Sequence, residues 1–514
     1  MIWHIFRKDC RLLWPIALSV AGANVSYRLL FARLTFAQEG RLVPIVNLLT
    51  VLSLMGTALL IAMVVQQDAV PGVRQDWLTR PIRRSDLFLS KLLFAVTIVQ
   101  GPIFLVEIVT CLANGFSVGQ SLAAAFDRSI YLFLAFDLPV LAFATLTRNL
   151  VEAIGAALGA TLVFVIFQTL LQFSFLKGVM FTPLEWVIDS TQVIVSVLGA
   201  AIVIALQYSL RKTFPARWSA FGAGLLWAAV QLLPVHPAFA VQRRFASQPG
   251  AGGRVRIAFD SSIGKFQNPP GVNYNEVLWR AGLRGRQFTD VFLPLEISGV
   301  RNDEMLRPDL SRVRITTPAG TVFNLERAGG LERPPHNAGF QMAHQLIWVP
   351  EETWQRIKDE TVTVEIDYLL TLLQGGQTHA MAALNGDQQT DETGRCRTGV
   401  NVTGTAVQWR CTKPGVSPPC RTAYLENPQT GLRNPESSEC GNYLPYKGQT
   451  LFEDSMTRFG LALPYRFPAG LGQYPVDGAQ LRTARVVFRV WQPESHFERK
   501  LVVDHVRLSD WQVE

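Results

Sequence analysis

The residues that could carry chemistry in this chain are few and scattered. One Gly-x-Ser-x-Gly pattern occurs, with Ser117 at its centre. A nucleophile elbow needs a strand before the serine and a helix after it, but Ser117 follows an apolar run, so we interpret the pattern as a glycine-rich turn. The sequence contains no His-Glu-x-x-His motif and no Gly-x4-Gly-Lys-Ser/Thr phosphate-binding loop. We therefore expect no catalytic residue, no metal site and no cofactor bound by this chain.

Four of the six cysteines cluster in the second half of the chain, at Cys396, Cys411, Cys420 and Cys440. Structural zinc sites usually contain a close Cys-x2–4-Cys pair, and the gaps of 14, 8 and 19 residues contain none. Two disulfides in one of three connectivities are the preferred interpretation, with zinc or free thiols as alternatives. Because disulfides persist in oxidising compartments, this half is expected outside the cytoplasm.

Two carboxylates interrupt otherwise apolar runs. Glu107 falls within Leu92–Leu112, and Asp137 falls within Ile130–Thr147. Because an ionised side chain is costly to bury in lipid, such a residue is a functional hypothesis by default, and we assign possible intramembrane polar sites to both. The alternative for Asp137 is local neutralisation, by Arg128, by neighbouring polar groups or by protonation.

Composition identifies the elements that must position these residues. Of 514 residues, 49% are apolar and 17% charged, whereas an average soluble domain carries about 25% charged residues. The composition changes abruptly near residue 241. Before that point, seven apolar runs approach or exceed the roughly 20 residues that a membrane-spanning helix needs. They are Leu12–Tyr27, Leu42–Val65, Leu92–Leu112, Ile130–Thr147, Ala153–Leu171, Ser190–Leu210 and Trp218–Val241.

The second half alternates polar and apolar residues over short stretches. In Thr361–Leu369, for example, every second residue from Val362 to Tyr368 is apolar, which is typical of a half-buried strand. Val291–Ile297 is expected only at a sheet edge, because Pro294 has no backbone donor. Similar strands are predicted at Arg254–Phe259, Val313–Thr317, Arg485–Trp491 and Leu501–Leu508.

The expected fold is an all-α membrane bundle followed by a mainly β domain. Residues 1–241 would form six to seven transmembrane helices. Residues 242–514 would form a sandwich-like extracytoplasmic domain with a cysteine-bearing insertion near 386–449.

The N-terminal segment Met1–Trp14 is basic and amphipathic and lacks the pattern of a cleavable signal peptide. It either lies in the membrane interface, with Trp3, Ile5 and Phe6 dipping into the lipid, or simply extends the first span.

The distribution of basic residues predicts the orientation. The net charge of +8 in so hydrophobic a chain favours a membrane surface over nucleic acid, which is not expected as a partner. With a cytoplasmic N-terminus, the inner segments carry twelve Lys and Arg and the outer segments seven, with Arg28 and Arg128 among the outer ones. The positive-inside rule then places the C-terminal half outside, as in a protein of the bacterial cytoplasmic (inner) membrane in contact with its lipid.

The segment Gln66–Lys91 joins the second and third runs and mixes acidic, aromatic and basic residues. It is interpreted as an amphipathic element that docks onto a cytoplasmic partner, or alternatively as an ordinary positive-inside loop.

Three segments resemble the membrane subunits of type-2 ABC transporters, the ABC-2 permeases: IWHIFRKDCRLLWP, DWLTRPIRRSDLFLSKLL and ATLTRNLVEAIGAALGA. The resemblance covers about residues 1 to 215. It implies a permease subunit, an exporter in our interpretation, that pairs with a second permease as a homodimer or heterodimer. A separate ATPase subunit would use the ATP. The residues that would couple to this ATPase are Asp76, Trp77, Leu78, Thr79, Arg80, Pro81, Arg83 and Arg84. The alternative is a membrane-anchored extracytoplasmic binding or sensor module without transport activity.

Overall fold

The computed structural model describes most of both halves of the chain. The described residues are 1–32, 39–67, 83–170, 185–210, 212–230, 239–240, 243–244, 251–265, 288–325, 344–401, 405–415, 420–434, 436–440, 456–464 and 481–512.

The described residues of the first half are mainly helical. The π-helical turns Ala95–Val99, Phe133–Asp137 and Ala205–Ser209 join or extend the helices. The helices are α1 (Ile2–Ala32), α2 (Glu39–Gln66), α3 (Arg84–Phe94), α4 (Gln100–Ala113), α5 (Val118–Leu132), α6 (Leu138–Ala144), α7 (Leu150–Leu170), α8 (Glu185–Ile204) and α9 (Thr213–Val230).

Among the described residues, three helical segments are long and apolar enough to cross a membrane: Pro44–Gln66, Ser85–Ala113 and Thr191–Ser209. They coincide with three of the apolar runs. Leu150–Val163 is a shorter apolar helix. These segments expose large apolar side chains on one side, such as Leu48, and bury others, such as Leu60, against neighbouring helices. A helix that is apolar on all sides suits lipid on one face and protein on the other.

The N-terminal segment is part of α1, which runs from Ile2 to Ala32 without ending at Pro15. Trp3 is exposed, but Ile5 and Phe6 are buried in the protein, and the ring of Phe6 lies 6.4 Å from that of Phe94. The expectation that Ile5 and Phe6 dip into the membrane interface is therefore wrong. The segment extends the first helix and turns its apolar side towards the helical core.

The second half is mainly β, as predicted, and its described strands form three antiparallel sheets. The large sheet has the order β12-β11-β15-β6-β3-β4, a three-stranded sheet has the order β1-β2-β5, and a four-stranded sheet has the order β14-β10-β9-β8. The strands are β1 (Arg256–Phe259), β2 (Phe288–Ser298), β3 (Glu304–Thr316), β4 (Val322–Leu325), β5 (His344–Pro350), β6 (Thr361–Gly375), β7 (His379–Ala382), β8 (Asp387–Thr390), β9 (Gly394–Val400), β10 (Ala406–Pro414), β11 (Cys420–Asn427), β12 (Leu432–Arg433), β13 (Ser437–Cys440), β14 (Met456–Pro464) and β15 (Arg485–Arg507). A short helix, α10 (Glu351–Ile357), follows β5.

The main β core lies between the large sheet and the three-stranded sheet. On β6, Val362, Val364, Ile366 and Tyr368 are all buried and face this core, as the alternation predicts. A second core lies under the four-stranded sheet, where Trp409 packs against aromatic neighbours. Strands from the cysteine-bearing segment contribute to both the large and the four-stranded sheet.

The strand that contains Pro294 is central in its sheet, so the expectation of an edge strand is wrong. One part of β2, as far as Pro294, pairs with β5, and the part from Leu295 onwards pairs with β1. Pro294 therefore stands where one ladder ends and the other begins. A residue without a backbone donor is tolerated there, and its carbonyl accepts a hydrogen bond from the backbone of Asp260 at 3.1 Å.

Candidate functional site

A buried polar cavity lies in the helical half between α1, α2, α4 and the π-helical turn Phe133–Asp137. Its volume is about 20 Å³, enough for about one water molecule. Hydroxyl, amide and charged side chains form much of its wall, although the helices that supply them are predominantly apolar. Polar groups are expensive to bury without partners, so the arrangement of these side chains determines what the cavity can hold.

The wall between α1 and α2 is a hydrogen-bonded cluster centred on Asn24. Its amide donates to the hydroxyl of Thr57 at 3.3 Å and to the carbonyl of Val20 at 3.1 Å, and its carbonyl accepts from Ser53. Ser53 and Thr57 are four residues apart on α2 and therefore share one face of that helix. Thr50 adds a third hydroxyl to this wall. The apolar run that predicted α2 therefore contains three hydroxyl residues that all line the cavity.

Arg28 of α1 forms a buried ion pair with Glu107 of α4. The sequence count assigned Arg28 to an outer segment, and the first apolar run stopped before it. That assignment is wrong, because α1 continues through Arg28 as far as Ala32. A buried charge is tolerated when an opposite charge pairs with it, so the two residues allow each other to lie among the helices.

Asp137 meets Gln100 across the cavity. Each residue adjoins a π-helical turn: Asp137 ends the turn Phe133–Asp137, and Gln100 follows the turn Ala95–Val99. The amide of Gln100 donates to Oδ2 of Asp137. Among the described residues, Oδ1 of Asp137 and Oε1 of Gln100 have no hydrogen-bond partner, although both atoms are buried. Such π-turns often occur at functional sites.

Asp137 lies in the cavity wall, whereas Glu107 is connected to the cavity only through Arg28, the wall residue with which it forms an ion pair. The partner of Asp137 is a neighbouring amide. Arg128 is buried in α5 with its guanidinium 5.6 Å from the ring centre of Tyr131, and is not the outer-segment residue that the charge count assumed. The sequence prediction did not include Gln100. Its position as a lone amide in an apolar run, seven residues before Glu107, was the available indication.

One end of the helical half is held together by polar contacts. Lys91 of α3 donates to Asp9 of α1 at 2.8 Å, and both side chains are almost completely buried. Gln66, at the end of α2, donates to the hydroxyl of Thr147 at 2.8 Å and to the carbonyl of Asn149 at 3.2 Å. Exposed basic side chains lie at this end, which we call the basic end: Arg7, Lys8, Arg11, Arg83, Arg148, Lys212 and Arg217.

Most of the residues assigned to ATPase coupling, Asp76 to Pro81, lie outside the described residues. Arg83 is exposed and is the N-cap residue of α3, and Arg84 is the first residue of that helix. Gln67 and Arg83 flank the part of this segment that lies outside the described residues, and both lie at the basic end.

The opposite end of the helical half contacts the β half. The segment Ser85–Ala113 leads away from the basic end to a turn at Gly115, whose carbonyl accepts a hydrogen bond from Gln389 of β8 at 2.9 Å. In this turn Ser117 caps α5 through a reciprocal capping box with Gln120. A capping serine after a helix is no nucleophile elbow, which agrees with the interpretation of this motif as a turn.

The four clustered cysteines form two disulfides, as the sequence favoured. Cys396 pairs with Cys411 between β9 and β10, and Cys420 pairs with Cys440 between β11 and β13. In each case the two residues stand directly opposite each other in an antiparallel ladder. This connectivity was one of three left open by the sequence.

A second buried polar cluster lies on the large β-sheet. Asp309 is the extra residue of a bulge in β3, where it accepts hydrogen bonds from Arg307 at 2.6 Å and from the hydroxyl of Thr371. That hydroxyl also lies 2.7 Å from Nδ1 of His496. In a hydrolase triad the imidazole lies between the hydroxyl and the carboxylate. Here the hydroxyl lies between the other two, so the cluster lacks the arrangement of a triad.

Within the part of the chain that the structure describes, no group of three or more His, Cys, Asp or Glu residues converges as metal ligands. The cavity around Asp137 is thus the best-defined candidate site. No protein-family model, no curated protein and no solved structure matches this chain.

Proposed function

We propose that this chain is the membrane permease subunit of an ABC transporter of the ABC-2 type, an exporter driven by a separate ATPase subunit. The observation that carries the proposal is the meeting of the three segments that resemble such permeases. Asp9 belongs to the first segment and Lys91 to the second, and they form a buried ion pair. Thr147 belongs to the third and binds Gln66, immediately before the coupling segment.

The contacts at the basic end supply a route for coupling. An ATPase that binds around Asp76–Pro81 would pull on the start of α3, and the Lys91–Asp9 ion pair would pass that movement to α1. α1 continues to the polar cavity, where it contributes Asn24 and Arg28, and α3 leads through the turn Ala95–Val99 into α4, which contributes Gln100. Movement of α1 against α4 would therefore open or close the cavity wall.

The topology that we propose has six to seven spans, with the basic end in the cytoplasm and the β half outside. Short cytoplasmic segments are enriched in Lys and Arg. Because Arg28, Arg128 and Lys91 are all buried in helices, none of them counts as a loop residue, and the totals become five outer against eleven inner. The β half contacts the end opposite the basic end. Its disulfides suit an oxidising compartment.

The chain would act as one of two permeases, homodimeric or heterodimeric, beside two ATPase subunits and surrounded by membrane lipid. The β half, with its buried Asp309 cluster, would bind the substrate, a lipid-linked product or a partner protein. The alternative function, an anchored extracytoplasmic binding or sensor module, uses the β half alone and requires no ATPase.

Co-purification tests the proposal. The full-length chain, purified from its native membranes, is expected to bring with it a subunit that carries the phosphate-binding loop absent here. Trp77→Ala is expected to weaken this association by about 2 kcal/mol, as for truncation of an aromatic anchor at an interface. Trp14→Ala is the matched control, because Trp14 is exposed on α1 and lies outside the coupling segment.

Two results would contradict the proposal. If no ATPase co-purifies with the wild-type chain, the anchored-module alternative is favoured. If the ATPase binds wild-type chain and Trp77→Ala equally well, the coupling role of Trp77 is wrong.

A further inference from the structure

The contact between Asp137 and Gln100 leaves one buried oxygen atom of each residue without a hydrogen-bond partner among the described residues. Asp137 is 1% exposed and Gln100 is 5% exposed. One hydrogen bond, from Nε2 of Gln100 to Oδ2 of Asp137, joins them. The two remaining atoms, Oδ1 of Asp137 and Oε1 of Gln100, have no partner among the described residues. An ionised carboxylate can only accept hydrogen bonds, and so can an amide carbonyl. Neither atom can therefore satisfy the other while Asp137 is charged.

We propose that Asp137 is a proton-binding site, and that the closed cavity holds it as the neutral carboxylic acid. A proton on Oδ1 turns that atom into a donor towards Oε1 of Gln100, while Nε2 of Gln100 continues to donate to Oδ2. The acid and the amide then form two reciprocal hydrogen bonds, and both buried oxygen atoms gain a partner. The proton is taken from water and returns to water when Asp137 ionises.

The charges around Asp137 support a neutral acid. The elements packed against its turn are α5, α6 and α8, and α1, α2 and α4 complete the cavity wall. Arg28 of α1 pairs with Glu107 of α4, and Arg128 of α5 stacks over Tyr131. Residues 44–66 of α2, residues 191–204 of α8 and all of α6 contain no charged residue. Among the described residues no ion pair neutralises Asp137, so a proton is the remaining means.

A metal cation fits this cavity less well than a proton. Hard cations take six or more oxygen ligands, whereas Oδ2 of Asp137 is already occupied by the amide of Gln100. Arg28 also lines the cavity and repels a second cation. A proton needs only the two oxygen atoms that lack partners.

Ionisation of Asp137 would open the cavity. A buried charge without a partner is costly, and water or structural opening must compensate for it. The cavity has room for about one water molecule beside the hydroxyl groups of Thr50 and Ser53. The bound proton thus keeps α4 and the turn Phe133–Asp137 hydrogen-bonded to each other. This inference concerns the cavity alone and holds whether or not the chain is a transporter.

Infrared spectroscopy of the full-length chain in lipid vesicles tests the protonation directly. At pH 6, where an ordinary aspartate is ionised, the wild type is expected to show a carboxylic-acid carbonyl band component that Asp137→Asn removes. Asparagine can donate to Gln100 in place of the acid, so this variant keeps both hydrogen bonds and is expected to fold. Glu152→Gln is the matched control and should retain the band, because Glu152 is a partly exposed carboxylate that pairs with Arg217 and does not line the cavity. A wild type without the band, or a band that survives in Asp137→Asn, would overturn the proposal.

Thiol labelling tests the opening. Ser53→Cys, in a chain whose Cys10 and Cys111 are replaced by serine, places a thiol in the cavity wall. Labelling by a small reagent, corrected for the fraction of reactive thiolate, is expected to increase with pH when Asp137 is present and to stay low and constant with Asp137→Asn. Equal pH profiles for the chains with Asp137 and with Asp137→Asn would refute the proposal that ionisation of Asp137 opens the cavity. Labelling that depends on sodium concentration at fixed pH would instead assign the site to a metal cation.

Discussion

Replacement of Lys91 by methionine tests whether the basic end is built around a buried charge pair. Nζ of Lys91 lies 2.8 Å from Oδ2 of Asp9, and the exposed fractions of the two side chains are 1% and 0%. Methionine keeps most of the apolar stem but removes the ammonium group, so packing changes little. Asp9 is left buried without its closest cation. Breaking a buried ion pair in this way typically costs about 3–5 kcal/mol of unfolding free energy.

The neighbouring Lys8 places the expected cost at the lower end of that range. Its ammonium group lies 3.4 Å from Oδ1 of Asp9 but is 47% exposed. Exposed pairs typically contribute no more than about 1 kcal/mol. Lys8 can therefore compensate for only part of the loss, and we expect Lys91→Met to cost about 3 kcal/mol. Lys8→Met is the matched control and should cost less than about 1 kcal/mol.

A double-mutant cycle separates the ion pair from general damage. Unfolding free energies would be measured by denaturing-detergent titration in mixed micelles for Lys91→Met, for Asp9→Leu and for the double variant. Replacement of a buried ion pair by apolar residues is often neutral or stabilising, so the double variant should recover most of the stability that Lys91→Met loses. If Lys91→Met costs no more than Lys8→Met, or if the double variant loses the sum of both single effects, the reasoning is refuted.

Three further predictions concern other parts of the chain. Thiol labelling of the unfolded, unreduced chain should reach Cys10 and Cys111 but none of the four cysteines in disulfides; labelling of all six would contradict this. Burial raises the pKa of Asp290 to about 6, so the folded chain holds that proton more tightly than the unfolded chain does. Stability should therefore decrease as the pH rises from about 4 to 6, and Asp290→Asn should flatten this part of a pH–stability curve; an unchanged slope would refute the assignment. Gly115→Ala should lower the thermal stability, because Gly115 has φ +86° and a Cβ atom would lie 2.7 Å from Oε1 of Gln389. Adding Gln389→Ala should restore the part due to that contact, whereas no recovery would show that backbone strain alone is responsible.

The features that the sequence predicted correctly depend on local patterns. The apolar runs Leu42–Val65, Leu92–Leu112 and Ser190–Leu210 coincide with the three helical segments that, in the part of the chain the structure describes, are long and apolar enough to cross a membrane. The alternation in Thr361–Leu369 gives the correct buried face of β6. Both patterns report burial of neighbouring residues in one element, which is a property that the order of residues alone contains.

The features that it missed depend on contacts between distant residues. Which cysteines pair is decided by strand register, because Cys396 stands opposite Cys411 and Cys420 stands opposite Cys440. No spacing rule gives that register. Pro294 was expected in an edge strand. Instead, β2 pairs with β5 as far as Pro294 and with β1 from Leu295 onwards, so a proline at this junction is tolerated in a central strand.

The treatment of charge in the helical half failed for a related reason. A charge count treats every arginine as a residue of a loop or a membrane surface. Arg28 instead continues α1 because Glu107, 79 positions later in the sequence, supplies a buried partner. The need for a buried cation could have been inferred from the sequence, because Glu107 is an acidic residue within an apolar run. The sequence does not reveal which of the available arginines supplies it.

The depth of the polar groups along the helices explains why each is neutralised differently. Asp9 and Arg28 are 19 residues apart on α1, about 28 Å at the rise of an α-helix, which approaches the roughly 30 Å thickness of a bilayer's hydrocarbon core. If α1 crosses the membrane, the Asp9–Lys91 and Arg28–Glu107 ion pairs lie near its two faces, where water and lipid headgroups lower the cost of charge. Gln100 lies between Lys91 and Glu107 along α3 and α4, so Asp137 meets it nearer the middle. There the cost of an ionised carboxylate is greatest, and a neutral acid hydrogen-bonded to an amide is the form that this depth favours.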